Sequence, residues 1–511
     1  MKTKIIFIMT SLVLTARLLN AQIPDSSFGV NGIVRYGFSN SYHSELQKSV
    51  LHPDGKISSV GFSGAVGFTS HILLSRHLSS GALDSSFNGD GSLVFSFGGN
   101  NEQARSLALL QNGNVMVGGV SNGKPVLAVL KPDGSFDAAF SNSGIKWIDL
   151  GIGNGGRINK IIQQTDGKIL AMGYGYNGFD FDMMVCRMLT NGDLDTGWAQ
   201  NGIGLYPTGT YHNFCNDAAL QSNGKLVIAG YSSSASDYVT VMRLTSNGLV
   251  DSSFGVNGRY HQNIGSSINE LAAVQILSND DLLLAGSISG SPLSTIDHLT
   301  IKLKSNGSTD HTFGNMGVSI NDVRNTEDQT YGLHVNSDGS FFQSGFSYNT
   351  SGITEFVCFK CKQNGSIDSS FGVNGIYIFP FAGNGWIKSI LKQSDGKLLF
   401  CGQSSSTLAS MGEFTLLRLK STVANNVNEH EMSIKGVTIY PNPSMSFLNV
   451  RCLPCEQNPM QILLGDNSGK MILKKWIQQN ERLDLSGLKS GIYQISIFCN
   501  EQLFKSLFLK N

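Results

Sequence analysis

The sequence predicts an all-β chain: a seven-bladed β-propeller followed by a small C-terminal β-sandwich. Three observations carry the prediction. The octapeptide DSSFGVNG stands at 25–32, 251–258 and 368–375. Three separate motif series each run to seven members. After Leu419 that pattern stops, and alternating apolar segments of another kind continue to the end.

Taken in chain order, residues 1–21 come first. Lys2 and Lys4 precede the mostly apolar run Ile5 to Leu14, and Ala21 offers a small residue before a cut that leaves Gln22 first. This is the pattern of a secretory signal peptide, too short to span a membrane stably. No other stretch approaches the ~18 apolar residues of a transmembrane helix.

Residues 22–420 hold the repeat. The aromatic of a D-x-x-(F/W) motif recurs as Phe28, Phe87, Phe140, Trp198, Phe254, Phe313 and Phe371, at spacings of 59, 53, 58, 56, 59 and 58. A turn typified by QTDGKIL gives Gly55, Gly113, Gly167, Gly224, Asp281, Gly339 and Gly396. A basic residue closes an alternating run at Arg76, Arg187, Arg243, Lys302, Lys360 and Arg418, and Val129 fills the slot in the remaining unit. Within each unit a short stretch such as Ile33–Tyr36 follows Asn-Gly, and an apolar run leads to the Asp-Gly turn. Two β-rich runs follow, such as 225–230 and 238–244. Asn-Gly and Asp-Gly between apolar runs signal hairpins, through type I′ turns with positive φ at both central residues. Four short antiparallel strands in each of seven units predict seven blades. The chain starts on a joint leading into a strand and leaves the repeat on a strand with no joint after it. The first strand therefore completes the seventh unit and closes the ring; an open stack would need polar capping units.

These residues resemble the delta-60 repeat family over about 22–421. The resemblance implies architecture and carries no assigned chemistry.

The octapeptide invites a calcium reading through the oxygens of Asp25, Ser27 and Asn31. Ca²⁺ takes six to eight oxygens, usually with several carboxylates, and each copy has one dependable Asp. The stronger reading is a joint. The Asp caps amides, Gly makes the turn, and the aromatic plugs between blades at roughly 1.5–3 kcal/mol each. The recurrent basic residue then pairs with the joint Asp, as Arg243 with Asp251.

Lys+Arg and Asp+Glu are equal at 37, which argues against a nucleic-acid partner. There is no G-x-S-x-G, no H-E-x-x-H and no phosphate loop, so no catalytic residue, cofactor site or metal site is assigned. Cys358 and Cys361 are three apart on a strand and face opposite sides. Cys452 and Cys455 suit a small disulfide.

In a four-stranded blade the repeated turns and joints share one face, and the varied loops share the other. The varied loops carry Tyr42, His43, Tyr174, Tyr176, Tyr211, His212, His261 and Trp386 among Asn, Ser and Gly. Aromatic faces beside amides and hydroxyls suit a glycan or protein ligand, although ordinary solvated loops would read the same way.

Residues 421–435 are polar and aperiodic and read as a linker. Residues 436–511 alternate as a small β-sandwich. Tyr440-Pro441-Asn442-Pro443-Ser444, Asp466 with Gly469-Lys470, Leu488 with Gly491-Ile492-Tyr493, and the closing LFKSLFLKN resemble the C-terminal sorting domain of the type IX (Por-type) secretion system. That resemblance implies a Bacteroidetes-type bacterium, Sec export, and type IX machinery as partner. In the family the tail is usually removed and the cargo is released or attached at the surface. The expected function is a secreted or cell-surface binding or adhesion module. The rivals are a secreted enzyme acting on polysaccharide or peptide at the varied loops, and a purely structural surface protein.

Overall fold

The computed structural model describes residues 24–38, 43–64, 70–151, 155–209, 211–265, 267–289, 295–381, 383–405, 412–420, 437–440, 447–452, 460–465, 471–478, 481–489, 491–499 and 502–510. The expected signal peptide and linker lie outside them, as does Cys455. The chain divides into two compact units, Met1–Thr422 and Val423–Asn511.

The first unit is built of seven four-stranded antiparallel sheets. Blade 1 runs Ser44–Leu51, Ile57–Ser63, Ile72–His77 and Ser92–Phe95, from first strand to last. Blades 2 to 7 open with Gln103–Leu109, Gly156–Gln163, His212–Leu220, Asn269–Ile276, Asp328–Val335 and Gly385–Lys392. Each opening strand packs against that of the next blade, and blade 7 packs against blade 1, so these strands ring a central axis. The fourth strand of blade 7 is Ile33–Tyr36, which pairs with Glu413–Leu419 and sets Arg35 opposite Thr415. The N-terminal segment thus closes the ring as the phase of the repeat predicts. Closure covers edges that would otherwise stay unpaired. The second and third strands, such as Ile57–Ser63 and Ile72–His77, are buried almost throughout because both sheet faces meet neighbouring blades.

The hairpin signal holds, but the turn type differs from the type I′ expectation. In blade 1 the Gly55 amide donates to the His52 carbonyl and the His52 amide to the Lys56 carbonyl. Only the Gly of the Asp-Gly pair has positive φ, at 83°. A type I turn followed by one left-handed residue makes a three-residue loop. A second correction concerns blade 5. There Asp280, at φ 65°, holds the left-handed position, one residue before the expected Asp281. With no glycine in SNDD, the short polar side chain of Asp is among the few that tolerate that conformation.

The seven joint aromatics are all buried, none more than 2 % exposed. In the octapeptide at 251, Asp251 takes Arg243 Nε and Lys225 Nζ on Oδ2, both at 2.8 Å, and the Ser253 hydroxyl on Oδ1 at 2.7 Å. The guanidinium lies over the Phe254 ring, 4.9 Å from its centroid. Arg243 also donates to the Ser305 carbonyl of blade 5 at 2.6 Å, and the Gly255 amide donates to the Asn306 carbonyl there at 2.8 Å. Arg76, Arg187 and Arg418 repeat the reach into the next blade through Pro132, Ser246 and Ser79. Arg418 pairs with Asp25, so the first octapeptide seals the ring. Blade 2, with Val129 in the basic slot, offers its Asp137 the Asn114 amide instead, at 2.7 Å. The octapeptide is mortar, and its carboxylates are occupied by basic and hydroxyl partners.

The second unit holds a three-stranded sheet (Val437–Tyr440, Phe447–Cys452, Arg482–Asp484) and a four-stranded one. The latter orders Met471–Ile477, Met460–Gly465, Gly491–Cys499 and Gln502–Lys510. Leu448, Val450 and Leu483 from the first sheet share one core with Ile462, Leu464 and Ile495 from the second, as a sandwich requires.

Candidate functional site

The ring brings the opening strands together around a channel, and one local irregularity recurs in all seven. Each opening strand skips one residue in its register with the second strand: Gln47, Arg105, Asn159, Asn216, Ala272, Tyr331 and Lys388. The bulge is made possible by a glycine on the second strand. A Cβ at Gly61, Gly119, Gly173, Gly230, Gly286, Gly345 or Gly402 would strike the opening strand's carbonyl, for example that of Phe214 at Gly230. The extra residue turns its side chain out of the ladder. Six of the seven bulge residues, all but Ala272, carry polar, charged or phenolic groups.

A cavity of about 210 Å³ occupies this waist, lined by Gln47, Lys48, Arg105, Arg157, Tyr331 and Lys388 among others. Arg157 and Gln329 lie early in their strands, and the opening strands start on the varied-loop face, so the cavity sits toward that face. Lys388 Nζ stands 3.7 Å from the centre of the Tyr331 ring. Arg105 lies over Phe62 and Arg157 over Tyr174, at 5.2 and 5.1 Å. Arg105 donates to Gln47 and Gln103, while its Nε is buried without a partner. Among the described residues, Lys48, Arg105, Arg157 and Lys388 form no ion pair; Lys160, just below, is taken by Asp217 at 2.7 Å. Burial pushes Lys388 down to about 8, with Glu45 opposing the fall and Arg105 adding to it. Burial and the neighbouring Arg157 bring Arg105 down to about 10. Burial, followed by Asp237, raises Glu270. Four cations, three of them desolvated, against two half-buried carboxylates, Glu45 and Glu270, leave this waist positive.

The expected loop residues fall into separate places. Tyr42 lies outside the described residues. His43 is half-buried and accepts the Gly412 amide on Nδ1 at 3.1 Å. Tyr174, Tyr176 and His212 do come together, between blades 3 and 4. Phe181, Phe214 and Tyr231 join them, at centroid distances of 4.9 to 6.3 Å. Tyr211 and His261 form a second group with Tyr238, whose ring stacks on His261 at 4.6 Å and 6°. Trp386 stands apart beside the waist, 6.3 Å from Phe346. Phe179, in the loop beside the first group, is 93 % exposed. Of the sorting residues, Pro441, Asn442 and Pro443 lie outside the described residues. Tyr440 ends a strand, and Gly491 and Ile492 begin another. Tyr493 is buried and donates its hydroxyl to the Lys489 carbonyl at 2.7 Å. Cys358 and Cys361 are free thiols in two different cores, on opposite sheet faces as expected.

Fold and tail define a β-propeller protein carrying a C-terminal sorting domain. Residues 438–509 match the secretion system C-terminal sorting domain family, and residues 221–254 match a domain of unknown function described as a DUF5122 beta-propeller. The sorting domain marks the chain for type IX secretion to the cell surface or exterior. No curated protein matches the chain. Similar solved structures include PorZ, a surface component of the type IX secretion system of Porphyromonas gingivalis. It shows 10 % identity and TM-score 0.35, covering 93 % of this chain and 60 % of that one. The chain therefore spans about 60 % of the length of PorZ. Others are the polysaccharide lyase Uly1 (10 %, TM-score 0.45, covering 75 % and 92 %) and the β-propeller domain of the Trilobed protease from Pyrococcus furiosus (9 %, 0.37, covering 75 % and 95 %). Likenesses this distant carry nothing about ligand or reaction. No helix among the described residues is long and apolar enough to cross a membrane.

Proposed function

We propose that the protein is a surface-delivered binding module whose ligand presents an anionic group, a carboxylate or sulfate of an acidic saccharide, to the waist of the propeller. The observation that carries this reading is the set Lys48, Arg105, Arg157 and Lys388. These cations face one cavity without an ion pair among the described residues, and the buried Arg105 Nε has no acceptor. Desolvated cations cost free energy unless a partner completes them, so their concentration at one place favours a ligand of opposite sign. Tyr331 lines the cavity beside them, and Phe62 and Tyr174 lie under the Arg105 and Arg157 guanidiniums, an aromatic setting that suits a saccharide. The cavity is smaller than the roughly 300–1,000 Å³ of drug-sized sites, so it suits one charged sugar unit or side group.

The test is a panel of neutral and acidic polysaccharides applied to the purified secreted protein. Retention of uronate-rich or sulfated chains is expected. It should weaken at least tenfold in Arg105→Ala and Lys388→Ala and stay unchanged in Phe179→Ala. Equal retention of neutral and acidic chains, or equal retention by wild type and both channel variants, would overturn the reading.

A further inference from the structure

A second feature of the varied-loop face is independent of the channel. It emerges when equivalent positions are compared around the ring. The inner strands of blades 4, 5 and 6 carry Asn213, Asn269 and Asp328 at the same place, each two residues before the one paired with the recurrent second-strand glycine: Cys215, Leu271 and Thr330. In blades 5 and 6 this side chain caps the incoming loop. Asn269 Oδ1 accepts the Ile264 and Gly265 amides, and Asp328 Oδ2 accepts the Val323 amide at 2.8 Å. The preceding blade sets an aspartate opposite: Asp182, Asp237 and Asp297 in turn. Between blades 3 and 4, Asn213 Nδ2 donates to Asp182 Oδ1 at 3.3 Å. Between blades 4 and 5, Asn269 Nδ2 donates to the Asp237 carbonyl at 3.1 Å.

Between blades 5 and 6 that donor is lost, because a carboxylate stands where the amide was. Asp328 is fully buried, and its Oδ1 has no partner. Asp297 faces it, and Asp322 comes in from the loop, so one oxygen of each of the three lies within 4.8 Å of the others. No basic side chain among the described residues pairs with any of them. Arg324, in the same loop, is committed to Glu355. Burial raises Asp328 to about 6 against the hydrogen bonds of the Ser347 hydroxyl and the Val323 amide, with the like charges of Asp322 and Asp297 adding to the rise. The cluster does not suit glycosidase chemistry, since the buried Asp328 could not reach a sugar.

We propose that Asp297, Asp322 and Asp328 bind a hard divalent cation of the Ca²⁺ class, which ties blade 5 to blade 6 on the varied-loop face. Such a cation prefers carboxylate oxygens, tolerates an irregular shell, and takes its remaining ligands from water or carbonyls. A buried carboxylate with one free oxygen gives it an anchor, and the exposed Asp322 gives it an entrance. Extracellular modules of this kind bind in the range of roughly 0.1–1 mM, which suits a protein sent outside the cell.

The test uses the secreted full-length protein stripped with EDTA, titrated with CaCl₂ by calorimetry and followed by thermal unfolding, with MgCl₂ and KCl as parallel arms. One saturable site and a rise in Tm are expected with CaCl₂ and not with KCl at equal ionic strength. Asp328→Asn rebuilds the arrangement of blade 4, so it should melt in EDTA at or above the wild-type temperature and lose the CaCl₂ response. Asp322→Asn, at an exposed position, should fold normally and bind at least tenfold more weakly. A wild type with no saturable divalent response overturns the proposal. So does an unchanged response in Asp322→Asn, or an Asp328→Asn variant that folds and still binds like wild type.

Discussion

Arg243→Met tests the claim that the octapeptide is a joint. Arg243 is 6 % exposed and makes bonds to Asp251 Oδ2, Ser253 Oγ, Gln221 Oε1 and the Ser305 carbonyl of the next blade, at 2.6 to 3.2 Å. Methionine keeps much of the stem that packs on Phe254 but ends every one of those bonds. Breaking a buried ion pair from one side costs about 3–5 kcal/mol, because the other charge stays buried and unpaired. Asp251 is not wholly abandoned, since Lys225 remains 2.8 Å from Oδ2 with its own side chain 32 % exposed. The expected loss is therefore about 3 kcal/mol, the lower end of that range. Leu249→Ala, in the adjoining turn at 64 % exposure, is the control and should stay within about 0.5 kcal/mol. Equilibrium urea unfolding followed by tryptophan fluorescence measures both. A loss under 1 kcal/mol for Arg243→Met would mean that the pair decorates the seam and the packing of Phe254 alone holds it.

Three further outcomes follow from the same geometry. Stability should fall in two stages on acidification. Burial holds His77 at about 4 and His298 at about 3, below the ordinary histidine range, so the unfolded chain takes up their protons first and stability drops from about pH 6.5. Burial alone would raise Asp25 and Asp84, but the hydroxyls of Ser27 and Ser86 and the basic partners bring both to about 2, so their contribution is present above about pH 4 and lost toward pH 2. Unfolding free energies measured from pH 7.5 to 2 check both stages, and a flat profile down to pH 4 would contradict the first. Gly230→Ala should cost about 1–3 kcal/mol by driving a methyl into the Phe214 carbonyl, read as a lowered Tm; an unchanged Tm would show that the bulge can relax. Deleting residues 436–511 should keep the protein inside the cell in a fractionation assay, and its appearance in the medium would count against the sorting role.

The scaffold was legible because its joints repeat chemistry as well as spacing. An aromatic, an aspartate and a basic residue return in register, and each is fixed by burial against the next blade. Blade 5 shows the limit: without a glycine in SNDD, only the backbone reveals that Asp280 takes the left-handed position and Asp281 follows it. The waist was not legible, because its seven residues are Gln, Arg, Asn, Asn, Ala, Tyr and Lys, which share no motif. What they share is position, each eight residues before the left-handed turn residue, as 47 is before 55 and 272 before 280. The loop aromatics were half legible. Tyr174, Tyr176 and His212 were flagged by composition, yet their partners Phe181, Phe214 and Tyr231 read simply as strand residues.

The positive waist has a thermodynamic signature that separates a binding site from a structural one. Lys388 is held over Tyr331 with no carboxylate within ion-pair distance among the described residues, and burial lowers it to about 8. A residue kept for the fold should weaken the fold when replaced. A residue kept for a ligand should do the opposite. Replacing a buried charge by an apolar side chain of similar volume is often stabilising, so Lys388→Met should gain about 1–3 kcal/mol at pH 7 without ligand. The sign with pH follows from linkage. The folded lysine releases its proton near 8 and the unfolded one near 10.4, so wild-type stability climbs between those values and the advantage of Lys388→Met shrinks with it. Urea unfolding at pH 7 and pH 10 measures that difference. A Lys388→Met variant less stable than wild type at pH 7 would show that the ammonium is a structural strut, and the anionic ligand would lose its strongest support.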